Sequence, residues 1–212
     1  MIEVEAGSEK RIPRIEALSD GVFSIALTLL IIDVVAAGKK VADGRTLWQH
    51  LLHEWPVPVS YLVGFLTILV CWVNQQKVFH YVKRADSGLL WVSGLQLMLV
   101  SSVPLPTALL AEHLQDANLT TALLLYGATF WGIATSFWLL WSYCERRGLS
   151  EPGGDPERYS GMGRIYGLSV IWTTVAMPVA YLETYAALVM WAIMFAAFAF
   201  PGEFAYLARS RH

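Results

Sequence analysis

Apolar runs dominate this 212-residue chain, and six of them are long enough to cross the roughly 30 Å of a bilayer's hydrocarbon as helices. They cover about 17–37, 57–76, 88–111, 119–143, 162–182 and 185–207, the last two parted by a short turn near Glu183–Thr184. Runs so long and so evenly apolar predict helices, because membrane strands alternate over about ten residues. The expectation is an all-α integral membrane protein, with residues 1–212 forming a single domain of six transmembrane helices. Residues 1–16 are polar and charged, so the first run reads as a retained span and not a cleaved signal. The two sizeable loops cover about 38–56 and 145–161; the second carries EPGGDPER, a turn cluster.

Composition agrees with that pattern. The chain is 56% hydrophobic and 15% charged, where soluble domains carry about 25% charged residues. A net charge of −2 gives no reason to expect a nucleic-acid partner. Twelve of the 15 Lys and Arg fall on one side of the predicted topology. They are Lys10, Arg11, Arg14, Lys77, Lys83, Arg84, Arg146, Arg147, Arg158, Arg164, Arg209 and Arg211, against Lys39, Lys40 and Arg45 on the other. The bias predicts a multi-pass protein of the cell membrane with both termini cytoplasmic. Cys71 and Cys144 sit in or at the end of apolar runs, so neither a disulfide nor a metal cluster is expected.

The first span carries the most distinctive polar residues. Its entrance reads RIEALSD, Arg14 to Asp20. An Asp at a membrane helix centre costs about 2.5–3.5 kcal/mol on insertion scales, so such an acid is functional or holds helices together. Placing residues 100° apart with Ile25 at zero puts Leu18, Gly21, Leu29 and Ile32 within about 40° of it. These residues form one narrow apolar stripe. Ser24 and Thr28 flank it, while Ser19 and Asp20 look away. Periodicity alone leaves two readings open: the stripe faces lipid or another helix, or it lines a path. Ser19 and Asp20 need protein partners in either case.

The RIEALSD stretch resembles the arginine-x-x-x-phenylalanine-serine-aspartate signature of the endosomal/lysosomal transmembrane potassium channel family and its bacterial homologues. Arg14, Ser19 and Asp20 match, and Leu18 stands where the family has Phe. The resemblance implies that first helices from several subunits surround a conduction path. The residue five positions after the signature Asp, Ile25, would form its narrowest ring, with Leu29 and Ile32 as further rings and Thr28 beside the path. It also implies a homotetramer of six-span subunits conducting potassium. The second span ends WVNQQKVF, where Trp72 and Phe79 match the family and Gln75 and Gln76 replace two histidines. The resemblance casts Trp72, Gln75 and Gln76 as polar partners of Arg14, Ser19 and Asp20. Glutamine preserves hydrogen bonding but not proton sensing.

The third span ends VPLPTALL, in which Pro104 and Pro106 break the helical ladder and Thr107 can satisfy a freed carbonyl. Asp33 falls near the outer mouth of the first helix, where it either draws cations or caps the helix end. His50, His53 and Glu54 lie in a loop without a further ligand set, so no metal site is expected. The chain lacks a TVGYG-type filter, an Arg ladder and the HExxH, GxSxG, Walker and CxxC motifs, which removes the grounds for an enzyme or a voltage sensor. The expectation is a modestly potassium-selective cation channel whose only ligands are permeant monovalent ions. Alternatives are a proton-permeable pathway or a secondary ion transporter, and a non-conducting membrane scaffold or a membrane enzyme.

Overall fold

The computed structural model of the chain describes residues 11–39, 46, 48–49, 52, 54–114, 116–153 and 156–199. Every regular element among them is helical. In chain order these are α1 (Arg11–Lys39), α2 (Pro56–Tyr81), α3 (Ser87–Ser101), α4 (Pro104–Glu112), α5 (Leu119–Arg147), α6 (Pro156–Leu182) and α7 (Thr184–Ala199). Five stretches are long and apolar enough to span a membrane: Ile12–Ala36, Pro56–Tyr81, Ser87–Glu112, Leu119–Arg147 and Pro156–Leu182. The third unites α3 and α4. The predicted sixth span begins in α7, and its last residues lie outside the described ones.

The break between α3 and α4 follows from two prolines. Pro104 and Pro106 supply no N–H, so the carbonyls of Val100 and Ser102 would lose their i+4 partners. The amides one residue nearer take them instead: Val103 N donates to Val100 O at 3.1 Å and Leu105 N to Ser102 O at 3.2 Å. The Thr107 hydroxyl donates to Val103 O at 2.7 Å. Backbone polarity is thus satisfied at membrane depth without a straight helix.

The helices pack side by side around two apolar clusters, a larger one shared by α1, α2, α3, α5 and α6 and a smaller one between α5, α6 and α7. α5 is central, meeting α3, α4, α6 and α7, while α1 lies at one edge against α2, α3 and α4. Ile15, Ser19, Phe23, Ala26 and Leu30, spaced three or four apart, form the buried face of α1. At the end of the bundle where α1 begins, the two connecting loops are clipped together. Val82 and Ser150 form an isolated antiparallel bridge; Lys83 N donates to Leu149 O at 2.8 Å and Glu151 N to Tyr81 O at 3.0 Å. Gly148, at φ 62°, caps α5 in the left-handed conformation that turns the chain into this clip. Tyr81 packs edge to face against Trp141 and Tyr159 beneath it, and those two rings tilt against each other.

Asp86 ties the same end down. Its side chain caps α3, accepting from Leu89 N at 2.8 Å, and accepts from the Tyr143 hydroxyl of α5 at 2.7 Å. Burial raises the Asp86 pKa, but the bonds from Leu89 and Tyr143 and the nearby Arg147 outweigh it, so the carboxyl sits below its ordinary range. Cys71 and Cys144 are both free and buried.

Candidate functional site

One side of α1 has no cover. Leu18 is 60% exposed, Ile25 60%, Leu29 46% and Ile32 56%, and Gly21, Ser24 and Thr28 are exposed with them. The uncovered side is therefore the stripe marked by helical geometry, and the buried side is the one that carries Ser19. The Thr28 hydroxyl donates to Ile25 O at 2.9 Å. Its proton is committed to the backbone, so the lone pairs left on the oxygen can only accept, which suits a cation or a water that carries one. The side chain of Asp33 lies outside the described residues, as do His50 and His53.

The other side of α1 is fastened to α2 by polar bonds. Ser19, 2% exposed, accepts from Gln75 Nε2 at 2.7 Å. One oxygen of Asp20 accepts twice, from Trp72 Nε1 at 2.8 Å and from Gln76 Nε2 at 3.0 Å. Trp72, Gln75 and Gln76 fall within about one helical turn of α2, so they present three donors to two adjacent residues of α1. Bonds of this kind to a carboxylate offset the cost of holding its charge away from water. Arg14 stands apart: its side chain is exposed and makes no ion pair with Asp20 among the described residues. Asn74, not singled out by the sequence pattern, is 3% exposed on the same turn and donates to Val70 O at 2.9 Å. Its available signal was a polar residue beside two glutamines in an apolar run.

Residues 14–104, which hold this whole arrangement, match the family described as the endosomal/lysosomal potassium channel TMEM175. A potassium channel of Chamaesiphon minutus is 42% identical over 140 residues, covering 66% of this chain and 69% of that one. The chain belongs to the TMEM175 family. This is a family of channels and not of enzymes. The fold agrees: the crystal structure of a lysosomal potassium-selective channel TMEM175 homologue from Chamaesiphon minutus superposes with a TM-score of 0.79 at 32% identity, over 91% of this chain and 98% of that one. A TMEM175 of Gallus gallus named an endosomal/lysosomal proton channel is 30% identical over 113 residues, 50% of this chain and 22% of that one. With five membrane-length helices and a place among the TMEM175 channels, the chain is a multi-pass membrane protein. Among the described residues, no group of His, Cys, Asp or Glu could hold a metal ion.

Proposed function

We propose that this chain is one subunit of a tetrameric potassium channel in which the uncovered side of α1 lines a central path. The observation that carries the reading is the two-sidedness of α1. A large aliphatic stripe flanked by Ser24 and Thr28 stays bare on the isolated chain, while the opposite side is fixed to α2 through Ser19 and Asp20. A lipid-facing stripe has no use for hydroxyls along its edge, whereas a wetted path does. Each subunit is a single domain of six spans with both termini in the cytoplasm, and α7 begins the last span. Family membership, together with the bacterial and cyanobacterial relatives named as potassium channels, supports potassium as the ion.

Four copies of Ile25 form the narrowest ring in this reading, with Leu29 and Ile32 as wider rings towards the outside. Apolar rings resist wetting and force a passing ion to shed part of its water. Sodium holds that water more tightly than potassium, so potassium passes preferentially. The Thr28 oxygen, and Ser24 with it, return part of the lost coordination through bound water. Selectivity of this origin is modest beside that of a carbonyl filter. Asp33 adds negative potential at the outer mouth.

Liposome flux with potassium, sodium and caesium gradients tests the assignment. Ile25→Ala widens the ring and raises cation flux several-fold, while Ile25→Asn wets it and erodes the preference for potassium. Unchanged flux and ion preference in both variants would remove Ile25 from the path.

A proton-permeable pathway is the second reading, motivated by the vertebrate relatives named as proton channels. In this chain Gln75 and Gln76, which cannot carry a proton at physiological pH, stand where the resembled family has histidines. A pH-sensitive dye inside the same liposomes separates the two: proton-specific influx with no potassium current favours the second reading.

A further inference from the structure

Behind the polar bonds of α1 lies a second group of polar side chains that the channel reading does not use. Gln96 is 0% exposed and Ser93 1%, both on α3, which packs against α1 and α5. Neither end of the Gln96 amide has a hydrogen-bond partner, nor does the Ser93 hydroxyl. The free oxygen of Gln75, Oε1, is also buried without a partner, although its Nε2 reaches Ser19. Ser136 of α5, 1% exposed, donates its proton to Ile133 O at 2.7 Å and keeps lone pairs to offer.

Ser93, Gln96 and Ser136 lie close in depth. The Asp86–Tyr143 bond sets α3 and α5 level. Counting inward by about 1.5 Å per residue, Ser93 and Ser136 both lie about 10 Å from it, and Gln96 about 5 Å deeper. The bridge between Val82 and Ser150 is made beyond the end of α5, so Gln75, about 10 Å inward of Val82, sits nearer the loops than Ser93 and Ser136, where it holds Ser19.

An amide buried with all of its donors and acceptors idle is costly, and buried polar groups in folded proteins are nearly always paired or watered. A water held in such a place needs two to four polar partners. Ser93 and Gln96 supply both donors and acceptors, and the Ser136 oxygen supplies an acceptor. We propose that Gln96 and Ser93 bind internal water, forming a small hydrated site within the subunit where α3 packs against α1 and α5. The ligand is water and not a cation, because the Gln96 amide brings donors as well as an acceptor, and the Asp20 carboxylate is taken up by Trp72 and Gln76. The site stands independently of the conduction reading, since it is built on the side of α1 away from the bare stripe.

A map of the full-length protein in lipid nanodiscs, at a resolution that shows ordered water, tests the proposal directly. The expected result is density within hydrogen-bonding distance of the Gln96 amide and of Ser93 Oγ. The second measurement is the Tm of Gln96→Leu and Gln96→Met, which keep volume and remove the amide. Because the amide has water and no protein group as partner, both variants should assemble normally and melt within about two degrees of the parent, with that density gone or reduced. A Gln96 side chain bonded directly to protein groups, with no density beside it, would overturn the site. So would a fall in Tm of many degrees in both variants, which would reveal protein partners left unpaired.

Discussion

Asp20 shows how much one side chain asks of its neighbours. Its carboxylate lies on the first membrane helix, and a single oxygen takes both the Trp72 indole N–H at 2.8 Å and the Gln76 amide at 3.0 Å. Charge-assisted bonds of this type contribute about 1.5–3 kcal/mol each. Trp72→Phe keeps an aromatic body and removes one donor, so it should lower stability by about that amount. A thermal melt in detergent would show a drop of several degrees, and an unchanged melt would mean that the indole bond holds nothing. Ser19 and Gln75 are a neutral pair, so Ser19→Ala should cost less, about 1 kcal/mol. The same residues show what could be read from the chain itself. The need of Ser19 and Asp20 for protein partners followed from the price of polarity in lipid, and the candidates on α2 followed from the family resemblance. The place of Arg14 did not follow: its side chain stands clear of Asp20 in the single chain, and no local rule of spacing tells a free arginine from a paired one.

At the scale of elements, the prediction rests on the start of α3. Asp86 serves as N-cap and as acceptor for Tyr143, so Asp86→Ala removes the cap, about 1 kcal/mol by itself, and frees the tie between α3 and α5. Gly88 lies so close to the Tyr143 hydroxyl that an added Cβ would collide with it. Gly88→Ala should therefore push Tyr143 off Asp86 and reproduce part of the Asp86→Ala loss. The pH dependence has a definite sign. The folded Asp86 carboxyl titrates below its ordinary value of 3.8, so its contribution is complete above that value and is lost as pH falls through the folded pKa. The gap in stability between the parent and Asp86→Asn should accordingly be widest near neutrality and close in acid; a gap that is constant with pH would contradict the ionised tie. An aspartate set just before an apolar run is a visible cap signal, but its reach to Tyr143, 57 residues on, is a product of packing and no local pattern announces it. The Pro104–Pro106 break was legible for the opposite reason, since a missing N–H acts within one turn.

For the whole molecule, five of the six expected spans stand as membrane-length helices, and they were plain in the apolar runs because bilayer thickness imposes one length on every crossing helix. How the helices sort around α5 was not, because lipid and protein interiors are equally apolar and hydropathy cannot distinguish them. Glycine contacts record that sorting. Gly127 of α5 lies against Trp191 of α7, whose Cζ2 would be 2.8 Å from an added Cβ. Gly127→Ala should force the indole aside and loosen α7, with a fall in stability of about 1–3 kcal/mol, seen as earlier thermal unfolding. An equal melt would place α7 elsewhere.

The clip between Val82 and Ser150 bears on where any opening movement can arise. With both turns at that end laced to one another and seated on Tyr81, Trp141 and Tyr159, helices α2, α3, α5 and α6 share a common footing and cannot easily slide apart. The first helix has no stitch in that lacing. If the proposed path runs along α1, its breathing is then work for that helix, pivoting on a serine and an aspartate against a scaffold that stays still.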